Sequence, residues 1–331
     1  MRCVLIRFAI IIGLSIGLYH AGLMASVADF YDISESGTSA STIRRGDVGG
    51  FSTYSTGIFE NPASIYRIYK ISVSAFQTQF MQDLIYQNLS IGMRMPVGVL
   101  GIGIAQLSVD ELFRTEMNDR QEIVTNGVFD YRNAVYKLAY QVSQSRFLHL
   151  GLAANVYRMN MDSVNGIGVN MELGAVLDGD VFDVSILLRN VIDDSSVHYV
   201  DSDSTEFSSQ GKTENLPLMS VFGLRYRLNW FAFYGQIKTF GESRKFVKNG
   251  GVDLSLPFIP YLTFSAGYRE YYKAAVMNES ETSEKVIQSA TIGLGLTVSG
   301  LNFDYAFEKT LDVNAYAPFQ QKHYFSVGFS I

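Results

Sequence analysis

The stretch that decides the fold is VIQSATIGLGLTVS (286–299), LNFDYAFEKTL (301–311) and QKHYFSVGFSI (321–331). In the second run Leu301, Phe303, Tyr305 and Phe307 alternate with Asn302, Asp304, Ala306 and Glu308. In the third, Phe325, Val327, Phe329 and Ile331 alternate with Tyr324, Ser326, Gly328 and Ser330. A period of two is a strand with one apolar face. The other face carries charge, hydroxyls and glycine, so it suits neither lipid nor a dry core. A soluble antiparallel sandwich also alternates, and the rest of the chain has to separate it from a closed sheet in a membrane. Closure is one of two ways to satisfy backbone groups in lipid, and Ile331, standing inside the alternating pattern, suits a last strand that closes a sheet.

The chain has 331 residues, room for one large all-β domain or two small ones. Lys and Arg number 26 against 32 Asp and Glu, a net charge of −6. No basic stripe is present, which argues against a nucleic-acid partner. With 29 glycines and only 18% charged residues, the composition fits a barrel with a small-residue interior. Residues 1–28 read as a secretory signal: Arg2 and Arg7, the apolar run Phe8 to Leu18, then Ser26-Val27-Ala28 before a cut at Asp29. The apolar run is short of the roughly 20 residues a helical span needs. Cys3, the one cysteine, lies inside this segment, so neither a disulfide framework nor a cysteine metal site is expected. After it no stretch reaches about 18 uncharged apolar residues, and any spanning is expected from strands.

Residues 29–65 form an N-terminal arm rich in Ser, Thr and Gly, with Asn61-Pro62 favouring a turn. It reads as a flexible leader or as a segment tucked into a barrel mouth or lumen. Over 66–331, alternation predicts fourteen strands: 67–80, 84–95, 97–108, 130–143, 147–158, 166–177, 181–192, 216–228, 230–240, 246–256, 261–271, 286–299, 301–310 and 320–331. Connections at Pro96, 144–146, 178–180, Asn229, 257–260 and Gly300 are short. Those at 109–129, 159–165, 193–215, 241–245, 272–285 and 311–319 are longer. Only the first hairpin, near Met81, departs from this rhythm. Short turns alternating with long loops are the habit of outer-membrane barrels, and a soluble sandwich has no reason for it. The expected architecture is an all-β, transmembrane antiparallel β-barrel of 14 strands with an N-terminal arm.

No G-x-S-x-G, P-loop or H-E-x-x-H is present. The histidines His149, His198 and His323 do not converge on a nucleophile, so no enzyme, cofactor or metal site is expected. The acidic loop at 193–215 reads as a solvated surface rather than a calcium loop. The charges that alternate against apolar neighbours are Glu172, Asp183, Arg189, Asp253, Arg269, Asp304 and Glu308. Facing lipid, an Arg or Lys at mid-bilayer would cost about 2–4 kcal/mol, so these side chains are expected to point inward. There they brace the wall, line a polar passage or hold the arm. Arg44, Arg45 and Asp47 have the charge to anchor the arm to such a wall.

Glu60-Asn61-Pro62-Ala63, following a glycine-containing arm, resembles the NPA signature of the PorV-like and FadL-like outer-membrane barrels. Gly166–Ala175, Leu187-Leu188-Arg189-Asn190-Val191, Leu216-Pro217, Ala266-Gly267-Tyr268-Arg269 and Phe303-Asp304-Tyr305-Ala306-Phe307 resemble their later pieces, in order, over about 46–331. Ser64 stands where glycine is usual and Glu172 where aspartate is usual. The resemblance implies a bacterial outer-membrane location among membrane lipids. It also implies a non-enzymatic role: a conduit for small hydrophobic molecules, as in FadL-like members, or a secretion or surface-attachment component with protein partners, as in PorV-like ones. A structural barrel without transport is the third reading.

Overall fold

The computed structural model describes residues 33–80, 83–118, 120–193, 195–201, 213–241, 246–275, 283–311 and 321–331. The expected signal 1–28 with its cut at Asp29, residues 202–212 of the acidic loop, and residues 312–319 of the last expected loop lie outside the described residues.

Alternation in the sequence becomes alternation in burial. The strands are β1 (Ile71–Gln79), β2 (Ile85–Arg94), β3 (Val99–Met117), β4 (Ile123–Ser143), β5 (Leu148–Met161), β6 (Val164–Asp178), β7 (Phe182–Arg189) and β8 (Ser196–Asp201). They continue with β9 (Thr213–Asn215), β10 (Met219–Leu228), β11 (Phe231–Phe240), β12 (Val247–Ser255), β13 (Leu262–Ala275), β14 (Ser283–Val298), β15 (Leu301–Thr310) and β16 (Gln321–Ser330). β1 to β7 pair in sequence order, β7 passes to β10, β10 to β16 pair in order, and β16 returns to β1, all antiparallel. The result is a closed fourteen-stranded barrel, with β8 and β9 as an extra hairpin on β6. Closure removes every edge from the wall, the requirement lipid imposes. The outer surface is a belt of exposed apolar side chains, among them Ile102, Leu138, Ile292, Phe303 and Phe325, far larger than a soluble monomer shows.

Each of the fourteen expected strands is present, with corrections at their ends and loops: the expected loop 193–215 carries β8 and β9, and the expected loop 272–285 is taken up at its two ends by β13 and β14. The first strand, expected from 67, starts at Ile71, because Pro62–Arg67 form a 3-10 helix capped by the Asn61 side chain. The expected loop 109–129 is mostly strand: β3 and β4 continue pairing to Met117↔Ile123 through two register shifts, and project as a ribbon beyond their neighbours. The expected loop 159–165 shrinks to Asp162-Ser163, with Asp162 at φ 54°. Hairpin pairing satisfies more backbone than an open loop of polar residues.

Both barrel termini and the short turns lie at one rim. Ser299 and Gly300 both take positive φ (50° and 84°), the pair that a tight type I′ hairpin turn needs. The hairpin at Asp162-Ser163 and the described ends of the longer connections lie at the other rim. The core is inside the cylinder, and the arm supplies much of it.

Candidate functional site

The arm runs down the lumen. Near the long-loop rim Ile33 and Ile43 join a cluster with Phe76, Tyr86, Tyr157 and Tyr324. Near the short-turn rim Arg67 pairs with Asp178 at 3.2 Å. Six apolar arm side chains, Ile33, Ile43, Ile58, Phe59, Ile65 and Ile68, are 0–1% exposed. Each such burial is worth roughly 1.5–3 kcal/mol, whereas a buried ion pair comes close to breaking even. Apolar burial therefore holds the arm, and polar contacts set where it sits.

Two polar seats do this. At the first, the backbone of Arg45-Gly46 lies directly on β12 and β13. A Cβ at Gly251 would stand 2.4 Å from the Arg45 carbonyl oxygen, and one at Gly267 would stand 2.2 Å from the Gly46 nitrogen. Arg44 reaches Asp253 (3.6 Å) and Asp304 (3.5 Å) and donates to Ser265 Oγ. Arg45 lies 3.9 Å from Asp253, and Asp47 lies 3.5 Å from Lys238 and 3.3 Å from Arg269. Arg269 also holds Glu308 at 2.8 Å. At the second seat Asn61 Nδ2 donates to Ser185 Oγ (2.9 Å), the Ile186 carbonyl (3.0 Å) and the Ala175 carbonyl (3.3 Å). Its Oδ1 accepts from Ala63 N at 2.9 Å. Pro62 opens the 3-10 helix, where its missing N–H costs nothing. Between the seats Ser55 is pinned by Ser72, Ser74 and Ser90.

The wall's charges also pair with one another. Glu172 Oε1 accepts from Lys137 Nζ (2.7 Å) and Asn155 Nδ2 (2.9 Å), and Arg189 Nε lies 2.8 Å away. Arg189 Nη2 also donates to the Phe59 carbonyl at 2.9 Å. Asp183 sits between Arg225 and Arg227. Every singled-out wall charge faces the lumen, in three separate groups. Sequence reading passed over Lys137, Arg225, Lys238 and Lys322, which share the same alternation and are also buried. Together the buried wall charges are the bases Lys137, Arg189, Arg225, Lys238, Arg269 and Lys322 and the acids Glu172, Asp183, Asp253, Asp304 and Glu308.

Glu60 is the arm acid with no ion-pair partner among the described residues. Its Oε2 accepts from Gly50 N at 2.8 Å, while Oε1 has no hydrogen-bond partner. It faces a cavity of about 30 Å³ shared with Asp47, Arg189 and Lys238. Burial raises its pKa above the ordinary 4.5, against the pull of Arg45 and the Gly50 and Ser52 N–H groups and with a small push from Asp47. Burial penalises the charged form, so seating is tightest when Glu60 is protonated and loosens as pH rises through the raised value. Maleimide labelling of a cysteine placed at buried Val48 is expected to quicken as pH rises from about 4.5, after correction for thiol ionisation with a free-thiol standard. The same measurement in Glu60→Gln should give a flat profile; an unchanged slope would count against this assignment.

Among the described residues the wall is interrupted at one place. β7 stops at Arg189, where Asn190 turns to φ 58°, and beyond it β6 pairs with β8 instead. Residues 169–171 between the two ladders are bridged by Val191 N to the Met171 carbonyl (3.1 Å), Ile192 N to Asn170 Oδ1 (3.0 Å) and Ser195 Oγ to the Val169 carbonyl (2.6 Å). Asn190 accepts from Tyr157 OH and donates to the Pro217 carbonyl. Among the described residues the outer edge of β9 has no strand partner. This seam is apolar on both sides: Ile192 and Leu218 are exposed outside, and Val197, Leu216 and Met219 are buried inside. Leu216, Val197 and Tyr199 belong to the same apolar cluster as Tyr157, Ile33, Tyr86 and Phe76.

No protein-family model matches this sequence, and no curated protein matches it. Among solved structures, the toluene transporter TodX of Pseudomonas putida is similar, with a TM-score of 0.61 at 12% identity over 91% of this chain and 99% of that one. A FadL homologue of Pseudomonas aeruginosa gives a TM-score of 0.54 at 10% identity over 94% and 100%. At these identities the likeness is one of fold.

Proposed function

We propose that the protein is a bacterial outer-membrane conduit that takes small hydrophobic molecules from the long-loop side and releases them sideways through the seam beside β7. The observation that carries this is the single apolar cluster that includes both Phe76 and Leu216, beside a strand edge that is unpaired among the described residues and flanked by Ile192 and Leu218. The remainder of the lumen is lined by charge and gives apolar cargo no favourable path. The likeness in fold to TodX and to a FadL homologue supports the same reading.

Uptake of radiolabelled toluene and oleate by cells expressing the protein tests it. Leu216→Lys places a charge in the apolar path and is expected to reduce uptake about tenfold, the factor that 1.4 kcal/mol makes. A disulfide between Ser55→Cys and Ser74→Cys, whose Oγ atoms are 3.0 Å apart, fixes the arm and is expected to leave uptake unchanged. Uptake no better than in control cells would overturn the conduit; loss only in the locked form would overturn the sideways route.

A second reading, a secretion or surface-attachment component, is favoured by the β3–β4 ribbon. Phe113, Met117, Ile123 and Val128 are 60–75% exposed there, beyond the last pairs that β3 and β4 make with β2 and β5. Deleting the ribbon tip would then abolish co-purification with secretion components and spare uptake.

A further inference from the structure

We infer that the lumen itself is a second, aqueous route: with the arm out, the barrel passes ions and small hydrophilic solutes, and the seated arm is its seal. This goes beyond the seam, which works with the arm in place.

The wall behind the arm is built for water. Below the cluster near the long-loop rim, the inward positions of β1 and β2 are Ser72, Ser74, Asn88 and Ser90, all buried only because the arm covers them. Across the lumen lie the six bases and five acids named above. A wall meant to stay dry would not carry them, since unpaired polar groups out of water are costly. Several take an oppositely charged partner from the arm: Asp253 and Asp304 face Arg44, and Lys238 faces Asp47. Orphaned oxygens at Glu172, Asp304 and Glu308 mark acceptors that water would satisfy. Strand number agrees. Eight strands leave room for side chains only, and sixteen to eighteen leave an aqueous channel; here fourteen strands enclose a lumen that holds a folded segment of more than thirty residues (33–67). The wall's charges nearly balance, so the open lumen should discriminate weakly between cations and anions.

The experiment uses full-length protein in planar bilayers with potassium chloride. Arm release is read independently by maleimide labelling of Val48→Cys. The Arg44→Glu/Arg45→Glu pair sets like charges against Asp253 and Asp304, and Gly267→Val removes the space for Gly46; both should raise labelling and stepwise conductance at least tenfold. The reversal potential in a salt gradient should stay near zero. The Ser55→Cys/Ser74→Cys disulfide should silence conductance, and reductant should restore it. Labelling that rises without conductance would overturn the proposal. So would failure of both releasing variants to raise labelling, or conductance that persists in the locked form. Hydrophobic uptake plays no part in these readouts, so the aqueous and sideways routes fail separately.

Discussion

Glu172→Ala is expected to lower the barrel's unfolding free energy by about 3–5 kcal/mol, the range for breaking one side of a buried ion pair. The side chain is fully buried and is shared by Lys137 at 2.7 Å and Arg189 at 2.8 Å. Removing it takes the shared carboxylate from two buried cations on β4 and β7. Their attraction to Glu172 does not itself add much, because desolvation offsets it. The damage comes from leaving buried positive charge without that carboxylate. Urea titration in lipid or detergent, followed by the mobility shift of folded barrel on gels, measures the loss. A double change of Lys137→Met with Glu172→Leu should recover a large part of it, since an apolar replacement of a buried pair is often neutral. Equal stability of Glu172→Ala and wild type would mean that water reaches the cations.

Gly267→Val should unseat the arm around residues 44–47 and leave the barrel closed. The new Cβ would lie 2.2 Å from Gly46 N and 2.5 Å from the Arg45 carbonyl carbon, both backbone atoms that cannot rotate aside. Overpacking of this kind costs about 1–3 kcal/mol or more, which shifts the seated-to-unseated ratio roughly fivefold to 150-fold. Faster labelling at Val48→Cys reads the shift. Gly235→Val is the control, because a Cβ there meets nothing within 4 Å. Equal labelling in both variants would mean that the backbone of β13 gives way instead of the arm.

The barrel was legible because its wall obeys a single rule, side chains alternating in and out, and that rule survives in the sequence without any knowledge of neighbours. Phe303 and Asp304 could be assigned opposite faces from their order alone. The β3–β4 ribbon was not legible, since Glu111 with its positive φ and the bulges after Val109 and Phe113 break the period just where the strands leave the wall. The candidate charges could be given a direction but no partners. That Glu172 meets Lys137 across β4, β5 and β6 depends on register, although Lys137 stands between the outward Tyr136 and Leu138 in the same alternation. The seam was invisible for a similar reason: Asn190 marks a strand end, but the exchange of β7 for β8 beside β6 is a matter of pairing.

The arm enters near one rim at Ile33 and leaves at the other to become β1, and the final ladder joins β1 to β16. The β1–β16 ladder therefore closes the hoop around a thread of the same chain that precedes β1. Substitutions that loosen the thread should be scored for how quickly the hoop forms as well as for how well it holds water out.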